Sequence, residues 1–364
     1  AAAQAFCSAD SPTGSDLVPA LSGSIQWYSN VGLTIPVIAG TTLTNQTYYV
    51  TETTNNCEST ATTVAITVNT TPTAPTAATQ AFCSADSPTG ADLIPLLSSS
   101  IKWFSDLALT TPVIAGTALT TQIYYVTETT NNCQSTPTSV TVTVNTTPTA
   151  PTAAAAQAFC SADSPTGSDL VPAISSSIKW YSDLGLTTPV MTGTTLTNQT
   201  YYVTETTNNC QSTATSVAVT VNTTPTAPTA AAQAFCSADS PTGSDLVPAL
   251  SGSIQWYSNV GLTIPVIAGT TLTNQTYYVT ETTNNCESTA TTVAITVNTT
   301  PNAPTAAAQA FCSADSPTGS DLVPALSGSI QWYSNVGLTI PVIAGTTLTN
   351  QTYYVTETTN NCES

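Results

Sequence analysis

The sequence repeats itself at a period of 76 or 77 residues, and this periodicity constrains the fold more than any other feature. The string Gln-Ala-Phe-Cys-Ser-Ala-Asp-Ser-Pro-Thr-Gly begins at Gln4, Gln80, Gln157, Gln233 and Gln309. A period of this length indicates tandem structural units, so the chain predicts five domains rather than the two or three that its length suggests. The expected repeats are residues 1–75, 76–151, 152–228, 229–304 and 305–364.

The fifth repeat ends earlier than the others. Ser364 follows Cys362 by two residues, whereas the first repeat continues into the strand-like segment 63–69. Losing three inward β-branched side chains costs about 1.5 to 3 kcal/mol each and leaves an open sheet edge. We therefore expect the array to continue beyond Ser364, and a strand donated by another chain is the alternative.

Each repeat carries two cysteines fifty positions apart. A domain of about 76 residues buries only about 60% of its surface and usually needs a covalent or metal staple. Zinc needs four ligands, which two cysteines without histidine do not supply. One disulfide within each repeat is therefore predicted, worth on the order of 4 kcal/mol and stable outside the cytoplasm. The expected pairs are Cys7–Cys57, Cys83–Cys133, Cys160–Cys210, Cys236–Cys286 and Cys312–Cys362.

The charge balance excludes nucleic acid as a partner. The chain has 2 Lys+Arg against 20 Asp+Glu, for a net charge of −18. Phosphate backbones are bound by clustered basic side chains, and Lys102 and Lys179 lie in separate repeats. No apolar run approaches the roughly twenty residues that span a bilayer, so no transmembrane segment is expected within this chain.

Alternating apolar and polar residues predict β-strands in every repeat. Asn55-Asn56 tolerates the positive φ of a hairpin turn, so the strand before it is expected to pair with the last strand of the repeat. No segment has helical periodicity, and short strands separated by Pro and Gly favour an all-β sandwich. The strands predicted in the first repeat are 17–21, 24–29, 36–43, 46–53 and 63–69. Its expected core is the disulfide with Leu17, Ile25, Trp27, Tyr48, Val50, Val64, Ile66 and Val68.

The first repeat carries a distinctive set of motifs, which are Cys7, Asp16-Leu17, Ile25-Gln26-Trp27-Tyr28, Leu33, Thr47-Tyr48-Tyr49-Val50-Thr51, Cys57-Glu58-Ser59 and Val64-Ala65-Ile66-Thr67-Val68. As a set, these motifs resemble the bacterial immunoglobulin-like repeats of giant secreted surface proteins in Bacteroidota, which often end in a gliding-motility-associated or type IX secretion sorting domain. The resemblance implies a tandem array of immunoglobulin-like β-sandwich domains in an extracellular, cell-surface-attached stalk or adhesin, with no catalytic residues. Asn30-Val31-Gly32 stands where the family suggests a Gly-Gly turn.

Catalytic chemistry has few candidates in this sequence. Nucleophile and base arrangements depend on His, Lys or a reactive Cys, which leaves only a carboxylate pair such as Asp10, Asp16, Glu52 or Glu58. Asp10 to Asp16 indicates a turn whose side chains cap backbone groups, and the chain is predicted not to be an enzyme and to need no cofactor. Asp10 and Asp16 are also a weak candidate for calcium, since their loop offers carboxylate, hydroxyl and carbonyl oxygens.

The sequence suggests two roles for sugars, as covalent modifications of the chain or as ligands of the repeats. Asn45 and Asn69 begin N-glycosylation patterns, and the Thr/Pro linkers, expected to be semi-rigid spacers, offer threonines for O-linked sugar. Alternatively the repeats themselves bind glycan, with Tyr28 or Tyr49 stacking on a sugar ring, although cross-strand packing also explains such tyrosines. The candidate glycosylation residues are Asn45, Asn69, Thr70, Thr71, Thr73 and Thr76.

Three functional hypotheses follow from these features. In the first, rigid repeats in series form the stalk of an extracellular filament or adhesin, and each repeat has its neighbours as partners. In the second, the repeats bind glycans or another surface through many weak copies. In the third, copies of the chain assemble into a multi-chain fibre.

Overall fold

The computed structural model describes all residues from Ala1 to Ser364, and every repeat consists of short strands and two three-residue 3₁₀ turns. No helix is long enough to cross a membrane. The first repeat contains β1 (Gln4–Cys7), β2 (Ile25–Tyr28), β3 (Pro36–Val37), β4 (Gln46–Thr54), β5 (Cys57–Glu58) and β6 (Thr62–Asn69). The second contains β7 (Gln80–Cys83), β8 (Ile101–Phe104), β9 (Pro112–Val113), β10 (Gln122–Thr130), β11 (Cys133–Gln134) and β12 (Thr138–Asn145).

The remaining repeats contain the same elements. The third has β13 (Ala156–Cys160), β14 (Ile178–Tyr181), β15 (Pro189–Val190), β16 (Gln199–Thr207), β17 (Cys210–Gln211) and β18 (Thr215–Asn222). The fourth has β19 (Gln233–Cys236), β20 (Ile254–Tyr257), β21 (Pro265–Val266), β22 (Gln275–Thr283), β23 (Cys286–Glu287) and β24 (Thr291–Asn298). The fifth has β25 (Ile330–Tyr333), β26 (Pro341–Val342), β27 (Tyr354–Thr359) and β28 (Cys362–Glu363). The 3₁₀ turns are Ser8–Asp10, Gly14–Asp16, Ser84–Asp86, Gly90–Asp92, Ser161–Asp163, Gly167–Asp169, Ser237–Asp239, Gly243–Asp245, Ser313–Asp315 and Gly319–Asp321.

The chain forms two compact units. The first consists of Ala1–Ala153, Ile174–Tyr181 and Tyr202–Ser216, and the second of Ala154–Ala173, Ser182–Tyr201 and Val217–Ser364. The first two repeats lie in the first unit and the last two in the second, while the third contributes to both. The residue boundaries that the sequence predicts for the five repeats stay predictions.

In the first unit, the two complete repeats have sheets of identical topology. Their strand orders are β1-β6-β4-β2-β3, with β5 paired to β4, and β7-β12-β10-β8-β9, with β11 paired to β10. The first strand runs parallel to the last, so that Cys7 lies opposite Asn69, and the other pairs are antiparallel. In the second unit, the fourth repeat has the order β19-β24-β22-β20-β21, with β23 paired to β22.

The core of the first repeat lies between this sheet and a second layer. Segment 12–15 forms that layer with segment 39–43: the Gly14 amide donates to the Thr41 carbonyl at 2.9 Å, and the Leu43 amide donates to the Pro12 carbonyl at 2.9 Å. These two layers confirm the predicted all-β sandwich. The buried residues are Leu17, Trp27, Val37, Leu43, Tyr48, Val50, Val64 and Ile66, with Ile25 and Val68 packed against them. The predicted core side chains are therefore confirmed, and Val37 and Leu43 complete them.

The strand predictions are confirmed except for residues 17–21 and for most of residues 36–43. Gln46 to Val50 pairs with Ile66 to Thr62, and Asn55 and Asn56 have φ of 53° and 60° in the turn between β4 and β5. The segment 17–21 forms no strand, because the Pro19 carbonyl accepts a hydrogen bond from Trp27 Nε1 at 2.9 Å instead of from a neighbouring strand. The segment 36–43 is extended only at Pro36–Val37.

The prediction that a disulfide closes each repeat is wrong. The bonds are Cys7–Cys133, Cys83–Cys210, Cys160–Cys286 and Cys236–Cys362, and Cys57 and Cys312 are free. Within one repeat, Cys7 lies beyond the Gln46 end of β4 and Cys57 lies at its Thr54 end. At about 3.3 Å per residue, β4 separates them by at least about 25 Å, far more than the roughly 6 Å between bonded Cα atoms. The predicted pairs Cys7–Cys57, Cys83–Cys133, Cys160–Cys210, Cys236–Cys286 and Cys312–Cys362 are all absent.

The fifth repeat has a smaller sheet, ordered β26-β25-β27-β28. Without a strand equivalent to β6, residues 309–311 form no strand either, and Tyr353 is only half-buried, whereas Tyr48 is fully buried. A cavity of about 880 Å³ lies there, and Phe311, Leu348 and Tyr353 are among the residues that line it.

Candidate functional site: the disulfide-linked junction between repeats

The second cysteine of each repeat lies on a rigid hairpin. In the second repeat, Asn131 and Asn132 form the turn between β10 and β11 with φ of 49° and 63°, the left-handed region that asparagine tolerates. Next to it, Gln134 Nε2 donates to Thr127 Oγ1 at 2.9 Å, and Thr127 is buried. These contacts fix the position of Cys133 at the end of the repeat.

The first cysteine lies at the opposite end of the preceding repeat. Cys7 ends β1 and faces Asn69, which ends the parallel strand β6. Cys133 is bonded to Cys7 with a Cα–Cα distance of 5.4 Å, and its Sγ lies 3.9 Å from the carbonyl oxygens of both Phe6 and Asn69. Asn69 Nδ2 also donates to the Asn131 carbonyl at 3.3 Å. The hairpin of the second repeat is therefore seated on the paired strand ends of the first, and Cys133 is completely buried.

The linker is attached to the repeats on both sides of the junction. The amide of Thr71 donates to Ser8 Oγ at 2.9 Å, and Thr71 Oγ1 accepts from the Ala9 amide at 3.0 Å. Toward the second repeat, Thr138 Oγ1 donates to the Pro75 carbonyl at 2.6 Å, and Ala77 packs against the core. These contacts hold the linker more firmly than its composition alone implies.

The same junction recurs three more times. An asparagine that ends the last strand of one repeat donates to a carbonyl in the next hairpin, at 3.5 Å for Asn145 to Asn208, 3.4 Å for Asn222 to Asn284 and 3.3 Å for Asn298 to Asn360. Each is accompanied by the disulfide between the same two repeats. This site was not predicted, and its signal in the sequence is the recurrence of Asn-Asn-Cys in all five repeats.

The calcium candidates are not brought together into a metal site. The Asp16 carboxylate is engaged in local structure: it accepts from the Thr13 amide at 2.8 Å and from the Thr13 hydroxyl at 3.1 Å, as part of a capping box. Asp10 belongs to the separate turn Ser8–Asp10. No group of three or more His, Cys, Asp or Glu side chains in the chain is arranged to hold a metal ion.

The glycosylation candidates divide into engaged and free side chains. Asn69 donates across the junction, Thr71 is bonded to Ser8 and Ala9, and Asn45 Oδ1 accepts from the Val68 amide. Exposed positions that retain a free side chain are the better candidates, and these are Thr70, Thr73 and Thr76.

The tyrosines considered for sugar stacking are direct neighbours on adjacent strands of the sheet. Tyr28 lies opposite Tyr49 in the register of β2 and β4, and both are half-buried. In the fourth repeat, Tyr257 donates to Glu287 Oε1 at 3.3 Å, and burial followed by the negative charge of Glu287 raises the pKa of its hydroxyl. The geometry therefore corresponds to cross-strand packing with a polar contact to the hairpin.

The loop between the second and third strands of each repeat is held by an aspartate side chain in the second and third repeats and by an asparagine side chain in the others. The Asp106 carboxylate accepts from the amides of Thr110 at 3.0 Å and Thr111 at 2.6 Å, as Asn30 Oδ1 does from Thr34 and Ile35 in the first repeat. The backbone hydrogen bond from Thr110 is the largest cause, and together with the hydrogen bonds from Thr111 it lowers the pKa of Asp106 against the opposing effect of desolvation.

This loop gives a prediction about pH. Because the folded pKa of Asp106 lies below its unfolded value, its stabilisation is present above the unfolded pKa and is lost as the pH falls through the folded pKa. We expect the amide signals of Thr110 and Thr111 in an NMR titration to move with a midpoint below the ordinary value for aspartate. The Asp106→Asn variant should abolish this titration, since Asn30 holds the same loop without a charge. A midpoint at or above the ordinary value would contradict the assignment.

The third repeat and the linker before it match a known family of domains. A family model described as "Ig-like domain CHU_C associated" matches residues 148–222. The third repeat is therefore similar to this family of Ig-like domains. The other Ig-like repeats carry the same tryptophan strand, Asn-Asn-Cys hairpin and cysteine spacing. No curated protein matches the chain.

Several solved structures are similar to this array of Ig-like repeats. They include Sidekick-1 immunoglobulin domains 1–5, with 13% identity, coverage of 100% of this chain and 95% of that chain, and a TM-score of 0.22. The N-terminal eight Ig domains of Down Syndrome Cell Adhesion Molecule isoform 1.30.30 share 11% identity over 97% of this chain and 63% of that chain, with a TM-score of 0.21. A Ca²⁺-stabilized adhesin that helps an Antarctic bacterium reach out and bind ice shares 14% identity over 81% of this chain and 96% of that chain, with a TM-score of 0.21. With TM-scores this low, none of these similarities carries an argument about function.

Proposed function

We propose that this chain is the structural stalk of an extracellular filament or cell-surface adhesin, in which Ig-like repeats in series hold a binding region away from the cell. The observation that carries the proposal is the junction, which occurs four times with the same disulfide and the same asparagine contact. A stalk requires neighbouring domains that cannot swing freely, and a disulfide beside the peptide link restricts such motion.

The side chains within the repeats support a structural role. The carboxylates considered for catalysis or calcium are engaged in local structure: Asp16 caps a turn, and Glu58 accepts from Thr51 Oγ1 at 2.7 Å. The chain contains no histidine, and its two lysines lie in separate repeats. These features fit a structural or adhesive protein rather than an enzyme.

An extracellular location also follows from the junction. Disulfides persist in secreted and surface proteins and are reduced in the cytosol. Each junction depends on one such bond, so we propose that the repeats function outside the cell, attached to its surface through other parts of the protein.

A series of repeat numbers tests the stalk. The chain is placed between a membrane anchor and a fluorescent reporter on a cell surface, and residues 80–156 are deleted so that Thr79 is followed by Gln157. This deletion preserves the cysteine pattern. We expect the height of the reporter above the membrane to fall by a constant few tens of ångströms per repeat removed, a distance comparable to the strand lengths. A height that does not depend on repeat number would contradict the proposal.

Glycan binding is tested with the same series. The chain with five repeats and the chain with four are applied separately to a glycan array. A stalk should give no signal that grows with repeat number. Binding that strengthens with each added repeat would instead favour multivalent glycan recognition by the repeats themselves.

A further inference from the structure

One face of the sheet differs in charge between two kinds of repeat. In the first repeat, the strand residues of this face alternate with the buried Trp27 and Val50, so they point away from the core. The adjoining β5 adds a carboxylate, which accepts a hydrogen bond from one of these strand residues. We call this surface the outer face, and in the first repeat it consists of Gln26, Tyr28, Tyr49, Thr51 and Glu58.

The sign of the charge on the outer face follows the kind of repeat. The second and third repeats carry Lys102 and Lys179 at the position of Gln26, and glutamine at the position of Glu58. The first, fourth and fifth repeats carry glutamine at the first position and glutamate at the second. We call the two kinds lysine repeats and glutamate repeats, and the three glutamates are Glu58, Glu287 and Glu363.

The two exchanged positions lie beside the same threonine. In the second repeat, Lys102 lies opposite Thr127 in the register of β8 and β10, and Gln134 Nε2 donates to Thr127 Oγ1 at 2.9 Å. A glutamate in place of Gln134 would therefore lie next to Lys102 and neutralise it within the repeat. Because lysine occurs only with glutamine, and glutamate only with glutamine, each outer face keeps one charge that its own repeat does not balance.

These charges are accessible to a partner. Lys102 and Lys179 are exposed, and Lys102 Nζ donates to the Ser98 carbonyl at 3.3 Å rather than to a carboxylate. Asp106, on the same strand, is turned into its own loop by the amides of Thr110 and Thr111. The three glutamates are exposed as well, and all their side-chain donors reach Oε1, so that Oε2 is open. These donors are Thr51, Thr280, Thr356, Tyr257 and Tyr333.

We propose that outer faces of opposite charge bind each other between copies of the chain, so that a glutamate repeat of one copy packs on a lysine repeat of a second copy. Faces of the same kind repel each other, which sets the pairing. Half-buried aromatic pairs supply apolar contact area on both sides, with Tyr28 beside Tyr49 in a glutamate repeat and Phe104 beside Tyr125 in a lysine repeat.

Several repeats must bind at once for this association to be stable. An exposed ion pair contributes little by itself, whereas linked copies of a weak contact reinforce one another. The chain contains three glutamate repeats and two lysine repeats, so each copy offers both kinds of face. The inference goes beyond the stalk proposal, because a stalk can consist of a single chain.

Reversing the charge of each kind of face tests the proposal. Every chain also carries Cys57→Ser and Cys312→Ser, so that the two free thiols cannot join copies. In one variant all five outer faces are negative, through Lys102→Glu and Lys179→Glu. In the other all five are positive, through Glu58→Lys, Glu287→Lys and Glu363→Lys. Self-association is measured by sedimentation velocity over a range of protein concentrations at low ionic strength, where screening is weak.

We expect the parent chain to self-associate and each variant alone to do so at least about tenfold more weakly, because several contacts are lost together. An equimolar mixture of the two variants should recover the affinity of the parent within about threefold, since opposite faces meet again. Net charge does not explain such recovery: two substitutions lower the net charge of −18 by four and three raise it by six, so both variants remain strongly negative. Sedimentation of the parent that is independent of concentration, or a mixture no stronger than its components, would overturn the proposal.

A matched control changes the net charge without changing the outer faces. Asp10→Lys, Asp239→Lys and Asp315→Lys lie on exposed turns of the same three glutamate repeats and raise the net charge by the same six units. Association of this variant should stay within about threefold of the parent, because its outer faces are intact. A loss as large as that of the all-positive variant would contradict docking through the outer face.

Neutral substitutions keep the test independent of folding defects. Lys102→Gln with Lys179→Gln introduces the residue that Gln26 already supplies at this position in the first repeat. This variant should associate at least about fivefold more weakly than the parent, because its second and third repeats no longer attract glutamate faces. Association equal to that of the parent would contradict the proposal.

Discussion

Cutting the backbone between two repeats is expected to leave them covalently joined. A protease recognition sequence inserted between Ala154 and Ala155, which are exposed, separates residues 1–154 from 155–364 after cleavage. Only Cys83–Cys210 spans this position, because the other three bonds lie wholly on one side of it. The cleaved protein should migrate as one band on a denaturing gel without reductant and as two bands with reductant.

The matched control removes this single bond. The same insertion in a chain with Cys83→Ser and Cys210→Ser should give two bands in either condition. If the unsubstituted chain separates without reductant, each repeat is closed by its own cysteines and the observed pairing is refuted. After cleavage in all four linkers, the unreduced protein should still migrate as one band, since every repeat shares a disulfide with a neighbour, and reduction should release the five separate repeats.

Replacing Gly90 by alanine is expected to destabilise the second repeat strongly. A Cβ at this position would lie 2.2 Å from the Ile114 carbonyl oxygen, so one of two backbone segments must move. Those segments are joined by the hydrogen bond from the Gly90 amide to the Thr117 carbonyl at 2.8 Å. Inserting a group into so tight a contact costs about 3 kcal/mol, which is a large part of the stability of a small domain.

The rate of trypsin cleavage measures this loss of stability, and a second cleavage site in another repeat is the internal control. The chain has two trypsin sites, Lys102 in the second repeat and Lys179 in the third, and both lie on strands. Because proteolysis follows the population of the opened state, a loss of about 3 kcal/mol raises cleavage at Lys102 by about 100-fold. Cleavage at Lys179 should rise much less. A reducing gel is needed to separate the fragments produced at Lys102, because Cys7–Cys133 and Cys83–Cys210 hold them together.

Gly116→Ala is the control substitution for Gly90→Ala. Nothing lies within 4 Å of a Cβ added at Gly116, and its φ is not positive. Cleavage at Lys102 should therefore change by less than about threefold, consistent with a surface effect within about 0.5 kcal/mol. Equal effects of the two substitutions would show that the close contact between Gly90 and Ile114 does not limit stability.

The sequence predicts the sheet and its core because local alternation determines which side chains face inward. Val64, Ile66 and Val68 alternate with threonine and alanine, and all three lie in or against the core. Val37 and Leu43 are not predictable from alternation, because β3 contains only Pro36–Val37 and Leu43 lies outside any strand. Leu17 was placed correctly, yet the segment after it forms no strand because the Pro19 carbonyl binds Trp27.

The junction was not predictable from the same pattern. When every repeat contains two cysteines at equal spacing, pairing within a repeat and pairing between neighbours use the same set of residues, and spacing does not distinguish them. The deciding quantity is the length of β4, which places Cys7 and Cys57 at opposite ends of one repeat. The contacts of Asn69 and Thr138 depend in turn on how neighbouring repeats meet.

The overlapping disulfides also limit how far tension can stretch the chain. Between Cys7 and Cys362 the backbone contains 355 steps from residue to residue, which would reach about 1,200 Å if fully drawn out. A shorter covalent route crosses from Cys7 to Cys133, returns 50 residues to Cys83, crosses to Cys210, advances 26 residues to Cys236 and crosses to Cys362. This route becomes taut at about 260 Å, even if every repeat unfolds. A pull on the array is therefore borne by sulfur–sulfur bonds well before most of the polypeptide can extend.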